Sequence, residues 1–488
     1  MQTKMPIRVR PFEHQRNACD AAIDTFYSGR SHGYALLLQM GCGKSLTAIG
    51  IAGRLFLDGT IRRVLVVAPL SVLGVWEEEF AKYAGYDYIL ITLEGSAAKK
   101  TEILQNLGCH STHDPDDAPS LTVAVVNYES AWRLEKEITA WRPDLIIADE
   151  AHKIKTHNTA ASKAMHRIGA KTTYRLLLTG TIITNKALDV FSQYKFLNPA
   201  IFGNSFYTFR NRYFDMTGYG GYTPALKRHM EPELTQRMHS IAFRATKAEC
   251  LDLPDMTDIV RPVPLEPTAM KLYRALVKDS YAELDRGEVT AANVLTRLLR
   301  LSQLTGGFVG DDDGNVQSVS TAKLDMLEDI IDSAMEENRK LVIIARFLPE
   351  IAGIRKLLEK RKIKYSCITG DIPDCGEQVR QFQNDPEVMV FVGQIATAGL
   401  GITLTAASTM IFYSLDFSMS NFEQARARIH RAGQKEKCTY LYLVAQGTVD
   451  AKVFQALRDK ADLAKLLVDD YRKGLNPFTW EEKNGPDI

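Results

Sequence analysis

Between Tyr34 and Leu178, five short apolar runs alternate with amphipathic stretches, and few folds accept that pattern. The runs are Tyr34–Leu38, Val64–Ala68, Val123–Val126, Leu145–Ala148 and Tyr174–Leu178. Their shortness and polar flanks favour strand over helix. The helical patterns between them imply a parallel sheet covered on both faces. The alternation stops between Phe191 and Pro254, then resumes with Leu341–Ala345, Tyr365–Ile368, Val388–Val392, Thr409–Tyr413 and Thr439–Val444. A chain of 488 residues has room for two such α/β lobes, each with its own core.

The first run leads into Gln39-Met-Gly-Cys-Gly-Lys-Ser45. Gly41 and Gly43 let backbone amides turn toward a phosphate at the start of a helix, where the N-terminus favours anions. Lys44 would reach the β- and γ-phosphates, and the Ser45 hydroxyl would ligate magnesium. Leu38 stands where the strict pattern has a further Gly, so the motif alone also reads as a plain strand-to-helix turn. The fourth run adds Asp149-Glu150-Ala151-His152 directly after Ala148. Carboxylates at the carboxyl end of a strand sit where ligands bind in such sheets. Asp149 would hold magnesium through water, and Glu150 would orient and deprotonate the attacking water. Two adjacent acids at a buried strand end are costly without a cation. Together the two motifs predict a nucleoside triphosphatase.

Composition narrows the partners. Sixty Lys and Arg against 59 Asp and Glu leave a net charge of +1, so no global basic field draws the chain onto nucleic acid. Such binding must come from local patches. The seven cysteines form no Cys-x-x-Cys pair, which argues against a zinc ribbon or disulfide scaffold and fits a reducing cytoplasm. Cys109-His110 with His113 lacks a partner pair and is not read as a metal site. Met1 to Arg10 lacks the apolar core of a signal peptide, and no apolar run is long enough to span a membrane.

Near the end of the second lobe, Gln424-Ala-Arg-Ala-Arg-Ile-His-Arg-Ala-Gly-Gln434 places Arg428 and Arg431 three apart. If this run is helical, both project from one face. Their fixed guanidinium forks match phosphate oxygens and would stabilise charge developing in phosphoryl transfer. The run resembles the last helicase motif of the Swi/Snf-like ATPases, Gln-Ala, two residues, Arg-x-His-Arg-x-Gly-Gln. Gln424, Ala425, Arg428, His430, Arg431, Gly433 and Gln434 match it.

The resemblance extends from about Arg10 to Asp470. Arg10-Pro-Phe-Glu-His-Gln15 looks like the adenine-reading entry motif, with Gln15 on the adenine edge and Phe12 near the base. Cys42 falls within the implied ATP-binding loop; its thiol is read as a small packing group. Ala68-Pro-Leu-Ser-Val-Leu73 looks like a motif that touches the nucleic-acid backbone, with Ser71 as the phosphate contact and Trp76 as core. Asn127-Tyr-Glu129 occupies the place of another backbone-contacting loop. Leu178-Thr-Gly-Thr181 with Asn185 resembles the motif that couples hydrolysis to movement, although Ile182 replaces its usual Pro. The implied coupling and contact residues are Ser71, His152, Thr179, Gly180, Thr181, Gly399, Gly401 and Gln424. Phe243-Arg-Ala-Thr-Lys247 resembles the stretch that leaves the helical insertion, and Arg346-Phe347 the fourth motif. Thr397-Ala-Gly-Leu-Gly401 resembles the fifth, with Ala398 for a Gly and Thr403 for an Asn.

The resemblance implies two RecA-like parallel-sheet lobes with helical insertions, ATP bound to the first lobe and Arg428 and Arg431 completing the site. The expected divisions are a first lobe at 1–195, a helical insertion at 196–262 and a helical segment at 263–320. A second lobe at 321–446, a brace helix at 447–475 and a flexible tail at 476–488 follow. The insertion's aromatics and basic residues could touch nucleic acid, but a small core of their own is the preferred reading. The implied activity is DNA-stimulated ATP hydrolysis, with magnesium, by a translocase that tracks duplex DNA without separating its strands. Single-stranded nucleic acid, an RNA or DNA helicase activity, and a motor subunit of a restriction or defence complex are the alternatives. The bare core looks like bacterial or phage members, working in the cytoplasm. Near-neutral charge predicts salt-sensitive DNA binding or help from a partner protein.

Overall fold

A computed structural model describes residues 4–109, 120–180, 187–217, 223–250, 254–286, 290–310, 316–370, 375–395, 402–460, 463–473 and 475–479. The chain divides into two compact units, residues 1–252 and 253–488.

The first unit is built on β1 (Gly33–Leu38), β2 (Arg63–Ala68), β3 (Tyr88–Thr92), β4 (Leu121–Asn127), β5 (Leu145–Asp149) and β6 (Tyr174–Leu178). A hairpin of β7 (Phe214–Thr217) and β8 (Thr223–Leu226) follows, and β9 (Ala242–Ala245) returns to the sheet. The strand order is β3-β4-β2-β5-β6-β1-β9, and every neighbouring pair is parallel. Helices cover both faces, which is why every residue of β1 and β5 is buried and why these strands read as continuous apolar runs.

All five expected runs of this unit are strands. Beyond the β7–β8 hairpin, two strands of the sheet itself were not expected: β3, which makes Leu145–Asp149 the fifth strand rather than the fourth, and β9, in the stretch where the alternation of apolar runs stops. Both lie at sheet edges with half-exposed residues, so neither is the fully buried run that marks a central strand.

The aromatics after Phe191 do not make a separate core. Phe202, Phe209, Tyr213 and Phe214 are buried and join the core of the first sheet, with Phe209 5.3 Å from Phe191 and Phe202 5.3 Å from Tyr194. Among the basic residues there, Arg212 pairs with Glu233 at 2.6 Å and Lys227 with Asp215 at 3.8 Å. The stretch 196–262 belongs to both units, since it gives β9 to the first sheet and most of β10 (Met256–Val263) to the second.

After the small hairpin of β11 (Phe308–Gly310) and β12 (Val316–Ser318), the second sheet takes β13 (Leu341–Ala345), β14 (Tyr365–Ile368), β15 (Val390–Gln394), β16 (Thr409–Phe412) and β17 (Cys438–Ala445). Its order is β10-β17-β16-β13-β15-β14, again parallel throughout. Alternation along β13 separates two cores: Val342 and Ile344 face one with Phe412 and Tyr442, while Leu341, Ile343 and Ala345 face the other with Ile411 and Leu443. Edge strand β10 was missed by the apolar-run criterion because it alternates with polar residues; its edge position also tolerates Pro262. β15 starts two residues later than expected, at Val390, and β16 ends one earlier, at Phe412.

Two helices, Pro267–Arg286 and Ala291–Thr305, fill the expected helical segment. Thr448 caps the helix Val449–Arg458 through Asp450 N, at the start of the expected brace helix. Asp450 pairs with Lys323 at 2.7 Å and accepts from Thr305 Oγ1 at 2.7 Å, both within the second unit. The start of the expected flexible tail is instead anchored: Phe478 is fully buried, and Lys452 Nζ donates to Pro477 O at 2.9 Å. One apolar side chain in a polar segment suffices for this. Among the described residues, no helix is long and apolar enough to cross a membrane.

Candidate active site

The carboxyl ends of β1, β5 and β6 bring the expected nucleotide residues together. Leu178 lies opposite both Leu36 and Asp149, and Thr179 N donates to Leu36 O at 3.2 Å. A Cβ on Gly180 would stand 3.6 Å from Met40 N, so the residues after β6 touch the loop after β1.

That loop turns through Gly41 (φ +88°) and Gly43 (φ +80°) into the helix Lys44–Leu57. Gly43 has a second reason to be glycine: a Cβ there would lie 2.1 Å from Gln15 Nε2. Gln15 is buried and braces the loop. Its Nε2 donates to Cys42 O at 3.1 Å, and its Oε1 accepts from Phe12 N at 2.9 Å. His14 Nε2 donates to the same Cys42 carbonyl at 2.9 Å. Phe12 is half exposed and stacks on His14. Lys44 Nζ rests on Leu38 O at 3.4 Å, and Ser45 is half-buried in the helix's first turn. Burial pushes the Cys42 thiol up to about 11, so it is protonated at neutral pH.

Asp149 is the last residue of β5. Its Oδ2 accepts from Trp76 Nε1 at 3.1 Å and its Oδ1 from Glu150 N at 2.9 Å, while its carbonyl accepts from Tyr128 Oη at 2.7 Å. Burial pushes its carboxyl above the usual carboxylate range; neighbouring Glu150 adds to the rise and Lys44 opposes it. Glu150 adopts a left-handed backbone (φ +47°), and its Oε2 lies 3.2 Å from His152 Nδ1. Sequence reasoning placed the acids but missed the groups that hold Asp149. Trp76, read as core, is core and also a donor. Tyr128 lies inside the quoted Asn127-Tyr-Glu129, and Asn127 Oδ1 caps the helix Tyr128–Arg133 through Ser130 N.

The site fits a magnesium nucleotide. A buried carboxylate beside a second acid calls for a cation, and a hydroxyl and a carboxylate are the hard oxygen donors magnesium takes, few in number because phosphates supply the rest. Among the described residues, no three His, Cys, Asp or Glu side chains form a protein-only metal cage.

In the second unit, the helix Met419–Arg426 ends before the arginines, so Arg428 and Arg431 lie in turns and not on one helical face. The turns are pinned to the segment after the expected glycine loop: Leu404 N donates to Arg428 O at 3.0 Å, Arg431 Nη1 to Ile402 O at 3.2 Å and Gln434 Nε2 to Ala407 O at 2.8 Å. His430 Nε2 donates to Pro254 O at 2.9 Å. Gln424 is buried, with Nε2 3.4 Å from Ser420 Oγ. Thr181, Asn185, Gly399, Gly401, His110 and His113 lie outside the described residues, as does the Ser71 side chain; its backbone belongs to the short helix Leu70–Val72.

A model of the SNF2-related domain matches residues 14–306, and one of the helicase conserved C-terminal domain matches residues 322–433. The chain belongs to the SNF2-related family. It is a helicase-like ATPase core of that family, and the strand-end cluster of Lys44, Asp149 and Glu150 lies within the matched SNF2 region. The SNF2-family core is 24% identical to a chromodomain-helicase-DNA-binding protein 1-like of Danio rerio, over 90% of this chain and 42% of that protein. It is 25% identical to a DNA repair and recombination protein RAD54-like of Drosophila persimilis, over 93% of this chain and 63% of that protein. The SNF2-family core thus spans less than two thirds of either relative. Among solved structures, the Sulfolobus solfataricus SWI2/SNF2 ATPase core in complex with dsDNA matches 97% of this chain and 99% of its own, at 24% identity and a TM-score of 0.45.

Proposed function

We propose that this SNF2-family core is an ATPase stimulated by duplex DNA, which turns hydrolysis into movement along the duplex without separating its strands. The observation that carries the reading is the convergence of Lys44, Asp149, Glu150 and Thr179 at the carboxyl end of one sheet in a chain of this family. Two of its relatives, a chromodomain-helicase-DNA-binding protein 1-like and a DNA repair and recombination protein RAD54-like, favour DNA as the partner.

In this reading the amides of Gly41 to Lys44 and the Lys44 ammonium hold the phosphates. Ser45 and Asp149 would hold magnesium, which when bound neutralises phosphate charge. Glu150, oriented by His152, takes the proton of the attacking water. Arg428 and Arg431 neutralise the charge that develops on the transferred group, and removing either lowers turnover by about a thousandfold or more. Ser71 and the strand-to-helix junction at Asn127-Tyr-Glu129 contact the DNA backbone.

The test is steady-state ATP hydrolysis at low salt with no nucleic acid, duplex DNA, single-stranded DNA or RNA, with Glu150→Gln as the inactive control. Strong stimulation by duplex supports the reading. Stimulation mainly by single strands or RNA replaces it with an unwinding helicase.

A further inference from the structure

We propose that the first unit carries a phosphate-binding cavity at the end of its sheet opposite the nucleotide site. β1 and β6 run parallel, and Gly33, which opens β1, lies opposite Arg175, the second residue of β6. The nucleotide loop leaves β1 after Leu38, five residues on, which at about 3.3 Å per residue separates the two ends by about 17 Å. The cavity is therefore distinct from the site of hydrolysis. Its volume is about 310 Å³, and Lys163, His166, Arg167, Arg175, Lys195 and Asn204 supply its polar lining. The ring of Phe196 lines it too and packs closely on Gly169, where a Cβ would lie 2.9 Å from that ring.

Four cations surround this space and no carboxylate lines it, in a chain whose net charge is only +1. One of the four is balanced: Arg167 makes a two-pronged contact with Glu135 at 2.6 and 2.5 Å. The other three are not. Lys195 Nζ donates to the neutral carbonyl of Asn204 at 2.9 Å, and Arg175 Nη1 to that of Gly169 at 2.9 Å. Arg175 Nε is buried without an acceptor among the described residues. Lys163 is exposed and has no ion-pair partner among them.

Three unbalanced cations around a concavity make a local positive field that a bound anion would relieve. The geometry favours a tetrahedral oxyanion. Two lysines act as point charges from separate helices, Ala160–Ala170 and Asp189–Leu197, and a guanidinium fork approaches from the sheet. The phosphate could be borne by a nucleic-acid backbone or by a small phosphate monoester; both present the same group. This inference does not depend on the proposed hydrolysis, so a failed ATPase assay leaves it intact.

Calorimetry at low salt tests it, with inorganic phosphate as the probe and the full chain saturated with magnesium and a non-hydrolysable ATP analogue, so that the first phosphate site is filled. Wild type should bind phosphate. Lys163→Ala should weaken binding about tenfold, the value of one charge-assisted hydrogen bond. The pair Lys163→Ala/Lys195→Ala should abolish it, and Lys163→Arg should retain it. Both lysines reach solvent, and matched thermal melts would show that the variants fold. Absent binding, or equal binding in wild type and the double variant, overturns the proposal. Competitors then separate the sources. Displacement by a short duplex identifies a nucleic-acid phosphate, and displacement by adenosine monophosphate alone identifies a small monoester. Displacement by neither also overturns it.

Discussion

Asp149 owes its place to two aromatic side chains that an acid-pair motif does not mention. Trp76 fixes one carboxylate oxygen and Tyr128 fixes the backbone, both from buried positions. Trp76→Phe should keep the fold but release the carboxylate, lowering ATP turnover by roughly ten- to hundredfold, the cost of a small misplacement at a reacting centre. Tyr128→Phe should cost about 1 kcal/mol of stability in urea unfolding, the worth of one hydrogen bond. Unchanged kinetics in Trp76→Phe would mean that the indole only fills space. A second buried acid, in the other unit, is likewise raised by burial. Glu350 accepts from Ser414 Oγ at 2.5 Å and from Phe347 N at 3.1 Å, yet burial pushes it up to about 7. Its folded state binds the proton more tightly than the unfolded chain does, so folding is favoured at low pH. That advantage is lost as pH rises from about 4.5 to about 7, by ~3 kcal/mol at most. Glu350→Gln should flatten this part of the stability profile; parallel urea midpoints in wild type and variant across pH 5 to 8 would refute the assignment. The acids of the site could be read from the sequence because carboxylates at strand ends are conspicuous. Their supporting donors could not, because a buried Trp or Tyr looks the same whether or not its polar atom has a task.

Central strands were legible and edge strands were not, for one physical reason. A strand covered on both faces must be apolar at consecutive positions, as β1, β5 and β13 are, whereas β3, β9 and β10 need cover only part of their surface. Helix ends were harder still. Nothing in Gln424 to Gln434 announces that the helix stops at Arg426; the stop is tied to hydrogen bonds that Arg428 O and the Arg431 side chain make with the backbone of Leu404 and Ile402, earlier in the chain. The same blindness applies to Phe478, whose burial against the helix Pro267–Arg286 is a tertiary fact; Tyr273 Oη on that helix donates to its carbonyl at 3.4 Å. Phe478→Ala should remove about 3–5 kcal/mol from the second unit, as for other buried aromatics. Calorimetric melting would read this as a lowered midpoint, and an unchanged midpoint would show the segment to be dispensable.

At the scale of the whole chain, the two-lobe plan was visible in the repeated alternation of runs, while the division near residue 252 was hidden by edge strands on both sides of it. Near-neutral charge sets the terms of any DNA contact. Affinity for a duplex should fall steeply between low and physiological salt, since each neutralised phosphate contributes about −0.9 to the log–log slope. A flat response in a fluorescence anisotropy titration would argue against DNA as the main ligand. The pairing of β1 with β9, and of β10 with β17, bears on how such a chain comes into being. As it leaves the ribosome, β1 shows a bare apolar edge until residues 242–245 have been made, and β10 waits likewise for residues 438–445. In each sheet the edge in question is thus covered only by the latest strand. A nascent chain halted just short of either strand would present an open template for pairing with its neighbours, and chaperones would meet it there first.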